Sequence, residues 1–143
     1  MTPFEGGSAP EITDGNVLAR AASGDPKALR HLATQSVALA SAFESPAGRV
    51  AAVAEAVTFT RLACVNGGLE EDRCLAVLYD SLADLCEDAE DQEAADAFRA
   101  QALLTAEGLA DQGDEEMATL VVTAGGNLSA DVHKRAAQIR ELM

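Results

Sequence analysis

Apolar and small residues recur along this chain at intervals of three and four. Leu29, Leu32, Ala33, Ser36, Val37, Ala40 and Phe43 follow the i, i+3, i+4, i+7 spacing that places side chains on one face of an α-helix. Asp25-Pro26 opens this stretch, aspartate supplying an oxygen for the orphan amides and proline a preset φ at the first helical position. A shorter helix, about Asp14 to Ala22, precedes it and closes at Ser23-Gly24. Ser45-Pro46 repeats the opening, and Val50, Val53, Ala54 and Val57 form the next stripe, which stops at Asn66-Gly67-Gly68.

A fourth helix is predicted from about Glu70 to Glu87, with Leu75, Leu78, Leu82 and Leu85 as its stripe and Glu70, Glu71 and Asp72 placed where negative charge complements the helix dipole. After the turn Asp88-Ala89-Glu90-Asp91, a fifth runs from about Gln92 to Asp111 with Ala95, Phe98, Ala102, Ala106 and Leu109 facing inward. A sixth follows Asp114, burying Met117, Leu120, Val121 and Ala124 before Gly125-Gly126. Ser129 then caps a last helix carrying Val132, Ala136, Ile139 and Leu142-Met143.

Helix starts near 25, 46, 69, 91 and 114 give spacings of 21, 23, 22 and 23 residues, hence hairpins of about 45 residues. The expected fold is all-α, a compact antiparallel helical bundle or a short helical-repeat solenoid of about six helices. Residues 1–13, rich in Gly, Pro and Ser, read as a flexible tail and residues 14–143 as one domain. Thirty alanines against five aromatic residues mean a core of Ala, Leu and Val, which lets helices approach closely.

Charge divides the chain unevenly. Residues 1–66 carry five Lys/Arg and six Asp/Glu, residues 67–128 two and sixteen, and residues 129–143 three and two, which sums to the net −14. A field of one sign over the middle of the chain repels nucleic acid and attracts basic partners. No apolar run reaches the roughly 20 residues that span a bilayer, and the N-terminus has no secretory layout, so the expected location is the cytoplasm and no membrane partner is expected. Cys64, Cys74 and Cys86 lie within apolar helical patterns and read as small buried hydrophobes. Eight Arg to two Lys, with the alanine content, suit a high-GC bacterial genome.

Catalysis needs convergent groups of tuned pKa, and none converge in this sequence. His31 and His133 share no helical face with a second His or Cys, and no glycine-rich phosphate loop follows a strand. The acidic run Glu87-Asp88-Ala89-Glu90-Asp91-Gln92-Glu93 lacks the glycine of a calcium loop. No catalytic residue, metal ligand or cofactor is assigned, and the chain is expected not to be an enzyme.

Residues 76–109 resemble one tetratricopeptide-type unit, with Tyr79, Leu82 and Ala83 on its first helix and Ala95, Ala102 and Leu103 on its second. Phe98 falls one position early, Cys86 replaces an aromatic residue, and no proline closes the unit. Gly24-Asp25-Pro26-Lys27-Ala28-Leu29 and Gly113-Asp114-Glu115-Glu116-Met117-Ala118 resemble starts of units in the Sel1-like branch of that superfamily. The resemblance implies a scaffold that binds peptides or protein helices without catalysis.

The expected function is therefore a noncatalytic protein–protein interaction module, an adaptor or scaffold. Its acidic face would comprise Asp80, Asp84, Glu87, Asp88, Glu90, Asp91, Glu93 and Asp96, and a groove between helices would accept a peptide or helix of a basic partner. Phe59, Leu62 and Val65, with Val121 and Val122, exceed what single stripes need and are candidates for a partner surface or a homodimer contact. The alternative is an acidic mimic of nucleic acid that inhibits a DNA- or RNA-binding protein, which requires its carboxylates to form one continuous face.

Overall fold

The computed structural model describes residues 15–126 and 128–142, and every element among them is a helix. In chain order these are α1 (Val17–Ala22), α2 (Pro26–Ala40), α3 (Pro46–Asn66), α4 (Leu69–Asp88), α5 (Gln92–Asp111), α6 (Glu115–Gly125) and α7 (Ala130–Leu142). The fold is thus all-α, and its seven described helices are the six long ones expected plus the short helix expected before them, which is the six-residue α1. The tail, and the predicted helix start at Asp14, lie outside the described residues, as do the side chain of Ala124 and residue Met143.

One device makes three of the connections. At Ser23-Gly24-Asp25, Ala89-Glu90-Asp91 and Gln112-Gly113-Asp114 the middle residue takes a left-handed φ, +88°, +62° and +95° in turn. The following aspartate then donates its N–H back to a helix carbonyl five residues earlier, Asp25 to Arg20, Asp91 to Cys86 and Asp114 to Leu109. This closes one helix as a Schellman motif. The same aspartate opens the next helix, its carboxylate accepting from the amides of Lys27, Ala94 and Met117. One residue serves both ends, so these helices turn back directly upon each other.

The link from α2 to α3 is longer, and α2 ends at Ala40 rather than near Phe43. Ser45 must be extended because it precedes a proline, and it caps α3 through the Gly48 amide. Phe43 leaves the helix and lies against Gly48, where even a Cβ would come within 3.0 Å of it.

Helices pack in chain order, α1 on α2, α2 on α3, α3 on α4, α4 on α5 and α5 on α6, while α7 returns to α5. The main core joins α2 to α5 through Ala40, Val53, Val57, Leu82, Cys86 and Ala95, and Tyr79 stacks on Phe98 at 6.2 Å between ring centres. A smaller core of Ala100, Leu103, Val132 and Ala136 seats α7 on α5. Ala28, Ala56, Ala63, Ala83, Ala95, Ala100 and Ala136 have no exposed surface at all. Short side chains at the crossings are what bring these helices together, as the alanine-rich composition implies.

Candidate interaction site

Two grooves run along one side of the bundle. The first lies between α2 and α4 with α3 at its floor, a cavity of about 360 Å³ whose apolar walls are Ala33, Val37, Val77 and Leu78. The second lies between α4 and α6 with α5 behind them, about 370 Å³, floored by Ala76, Ala102, Leu103 and Ala106 and flanked by Val77 and Leu120. α2, α4 and α6 thus form an outer row over α3 and α5. Val77 lines both grooves and is 59 % exposed, although it falls outside the leucine stripe of α4. Both volumes lie within the range of ligand-binding clefts, about 300–1,000 Å³.

Arginines set the spacing of the outer row. Arg30 of α2 reaches Glu70 at 3.1 Å and Glu71 at 3.7 Å at the start of α4. Arg73 of α4 makes a two-pronged bond to Asp114 at the start of α6, at 2.6 and 3.0 Å, and reaches Glu116 at 3.0 Å. The hydrogen bond from Arg73 holds the Asp114 carboxyl down at about 2, and the same pair raises Arg73. Glu71 also accepts the Gly68 amide at 2.8 Å, so one buried carboxylate caps α4 and binds α2. Arg99 ties α5 to α4 through Glu87 at 2.6 Å and Asp84 at 3.1 Å, and Arg140 ties α7 to Glu107 of α5 at 2.6 Å.

These pairs divide the predicted acidic residues into groups. Asp80, Asp84, Glu87 and Asp88 lie on α4 at helical spacing, the first two at the second groove, with Asp84 and Glu87 holding Arg99. Asp91 caps α5, and Glu90 occupies the left-handed position of the α4–α5 link. Glu93 and Asp96 face a separate polar hollow against α7, where Glu93 meets Arg135 at 3.5 Å and Asp96 accepts from Gln92 at 2.9 Å. No hydrogen bond or ion pair reaches Asp80 among the described residues. Desolvation, and next the charge of Asp84, push its carboxyl above the usual range against the pull of Arg99.

The apolar candidates also separate. Leu62 and Val65 stand 52 % and 77 % exposed on α3, Phe59 is half-buried there, and Val122 is 78 % exposed on α6. Val121 packs against the smaller core that seats α7. Leu62, Val65 and Val122 line neither groove. Leu120, read from the sequence as core, is 42 % exposed on the groove wall, because α6 packs on α5 and presents its other side to the cleft. Reasoning from the sequence passed over Val77 and the four bridging arginines Arg30, Arg73, Arg99 and Arg140, and placed Leu120 in the core. Val77 carried a signal, as an apolar residue in step with the polar positions Asp80, Ser81 and Asp84.

The cysteines are free thiols, Cys86 buried and Cys64 and Cys74 half-buried. Desolvation and a hydrogen bond with Asp72 push the Cys64 thiol up to about 12, and burial raises Cys86. His31 shares a hydrogen bond with Gln35 at 3.1 Å on the surface of α2. Among the described residues no group of three His, Cys, Asp or Glu is placed to hold a metal ion, and no helix is long and apolar enough to cross a membrane. No protein-family model, curated protein or solved structure matches the chain.

Proposed function

We propose that this protein is a noncatalytic interaction module that receives a protein segment on the face formed by α2, α4 and α6. The observation that carries the reading is the pair of grooves with Val77 on their shared rim, where an exposed apolar side chain stands between two largely apolar clefts. The net charge of −14 selects basic partners and speeds their encounter. Three unpaired cysteines suit a reducing compartment, which supports a cytoplasmic location for the module. The tetratricopeptide-like pattern of residues 76–109 points the same way. The carboxylates lend the nucleic-acid mimic no support, since Arg99 interrupts them on α4 and Asp91 is engaged as a cap.

A phage-displayed peptide library panned on the immobilised protein tests the reading. Enrichment of related peptides that bind wild type and Leu62→Asp, and lose Val77→Asp, is the expected result. A library that enriches nothing on wild type over Val77→Asp refutes it.

A further inference from the structure

We infer that the cleft between α4 and α6 receives a short amphipathic helix from a basic partner, its apolar side laid against Val77 and Leu120 and its Lys or Arg residues set along α4. The inference rests on the reading that this face binds protein, and it adds which groove is used, in what conformation and with what chemistry.

Charge distinguishes the grooves. The charged residues of the first are Arg30 and Arg73, both already bonded to carboxylates. The second has Asp80 and Asp84 on its α4 wall and Arg99 of α5 as its one lining cation, which bonds Asp84 and Glu87, while Asp88 continues the same side of α4, so carboxylates outnumber cations there. Asp80 has no cation bonded to it, and Asp84 gives one oxygen to Arg99 and remains exposed. A cation from outside relieves the unfavourable neighbourhood of these two like charges.

Spacing selects the conformation. Carboxylates at 80, 84 and 87 or 88 recur once per helical turn, about 5.4 Å along α4. A partner helix lying along α4 brings Lys or Arg at i, i+4 and i+7 to the same repeat. An extended strand presents like-facing side chains every two residues, about 6.6 Å, and over two intervals overshoots Glu87 by about 2.7 Å and Asp88 by about 1.2 Å, whereas a helix keeps the repeat of α4 itself. The floor of Ala76, Ala102 and Ala106 leaves depth for the apolar residues of the incoming helix.

The probe is a short synthetic Leu/Lys amphipathic helix carrying one benzoylphenylalanine among its leucines, compared with a scrambled peptide of identical composition. At low salt the helix is expected to bind at least about tenfold tighter than the scramble and to photo-crosslink within residues 76–84 and 117–121. Val77→Ser with Leu120→Ser weakens binding by about tenfold or more, the loss of burial of two side chains. Asp80→Asn weakens it about threefold, as befits a partly exposed pair, while Glu55→Gln, the same charge change on α3, leaves it unaltered. Cross-links outside the two segments, equal binding of the scramble, or no binding overturns the inference. The cross-link positions are read on wild type, so they decide even where a variant fails to fold. Phage-selected peptides that still lose binding to Val77→Asp while the Leu/Lys helix fails would leave the interaction face standing with a different occupant.

Discussion

Glutamate 90 occupies a backbone conformation that glycine holds in the two equivalent links. At φ +62° its Cβ crowds the following carbonyl, a strain of about 1–2 kcal/mol for an L-residue. Gly24 and Gly113, at +88° and +95°, have no such strain. Replacing Glu90 by glycine removes it but returns about 0.5–1 kcal/mol of conformational freedom to the unfolded chain, so the net gain is about 0.5–1 kcal/mol. The reverse change is Gly113→Ala, where no atom lies within 4 Å of the new Cβ and only the φ is at issue. It should cost about the same amount. At about 3 °C per kcal/mol for a domain of this size, the two melting temperatures should part by roughly 3–6 °C, one above wild type and one below.

Glu90 also stands among other carboxylates, so its removal relieves repulsion as well as strain. Glu90→Gln keeps the side-chain length and the backbone strain while removing the charge, and subtracting its effect isolates the conformational part. Urea unfolding of the four proteins at neutral pH gives the three differences. The reasoning fails if Glu90→Gly stabilises no more than Glu90→Gln, or if Gly113→Ala is neutral.

Leu82 is 1 % exposed in the main core, and Leu82→Ala should cost about 3 kcal/mol and lower the melting temperature by about 9 °C in thermal unfolding; a loss under about 1 kcal/mol would mean the cavity collapses freely. Asp114 titrates at about 2 in the fold against 3.8 as a free group, so its stabilisation is complete above about pH 4 and is lost as pH falls through 2. The urea midpoints of wild type and Asp114→Asn should therefore differ by a constant amount above pH 4 and converge near pH 2. With Cys74 and Cys86 replaced by alanine, Cys64 should alkylate with iodoacetamide at pH 8 about a hundredfold or more slowly than an unfolded control in urea, since a thiol at about 12 is almost wholly protonated there; comparable rates would place it outside the desolvated site.

The bounds of α5 agree with those read from the sequence because both of its ends are local: Asp91 caps one and Gly113 turns the other. Local rules failed where a neighbour decided the outcome. The apolar spacing continued through Phe43, but α2 ends at Ala40 and Phe43 packs on Gly48 of α3 instead of extending the stripe. Leu120 obeyed the helical period of a buried stripe, yet burial requires a partner on that side, and α6 packs chiefly on α5 and turns Leu120 to the cleft. The acidic residues could be counted from the sequence, but their partners could not be identified. Arg73 finds Asp114 across 41 residues and Arg140 finds Glu107 across 33, and no period in the chain foretells those meetings.

The same long-range pairs explain why the grooves stay open. α2, α4 and α6 are joined at their N-terminal ends by Arg30 to Glu70 and Glu71, and by Arg73 to Asp114 and Glu116. A guanidinium and a carboxylate between two helices hold them further apart than the alanine crossings that join each helix to the layer behind. Beyond the bridges, Leu78, Leu103, Met117 and Leu120 line the gaps, and between them stand Ala33 and Val37, Ala76 and Val77, Ala102 and Ala106. These alanines and valines are too short to fill a space set by arginine. Larger residues there would have completed a core and left a flat surface. A row spaced by arginine over a floor of alanine instead leaves apolar clefts, with Val77 exposed between them and carboxylates along one wall.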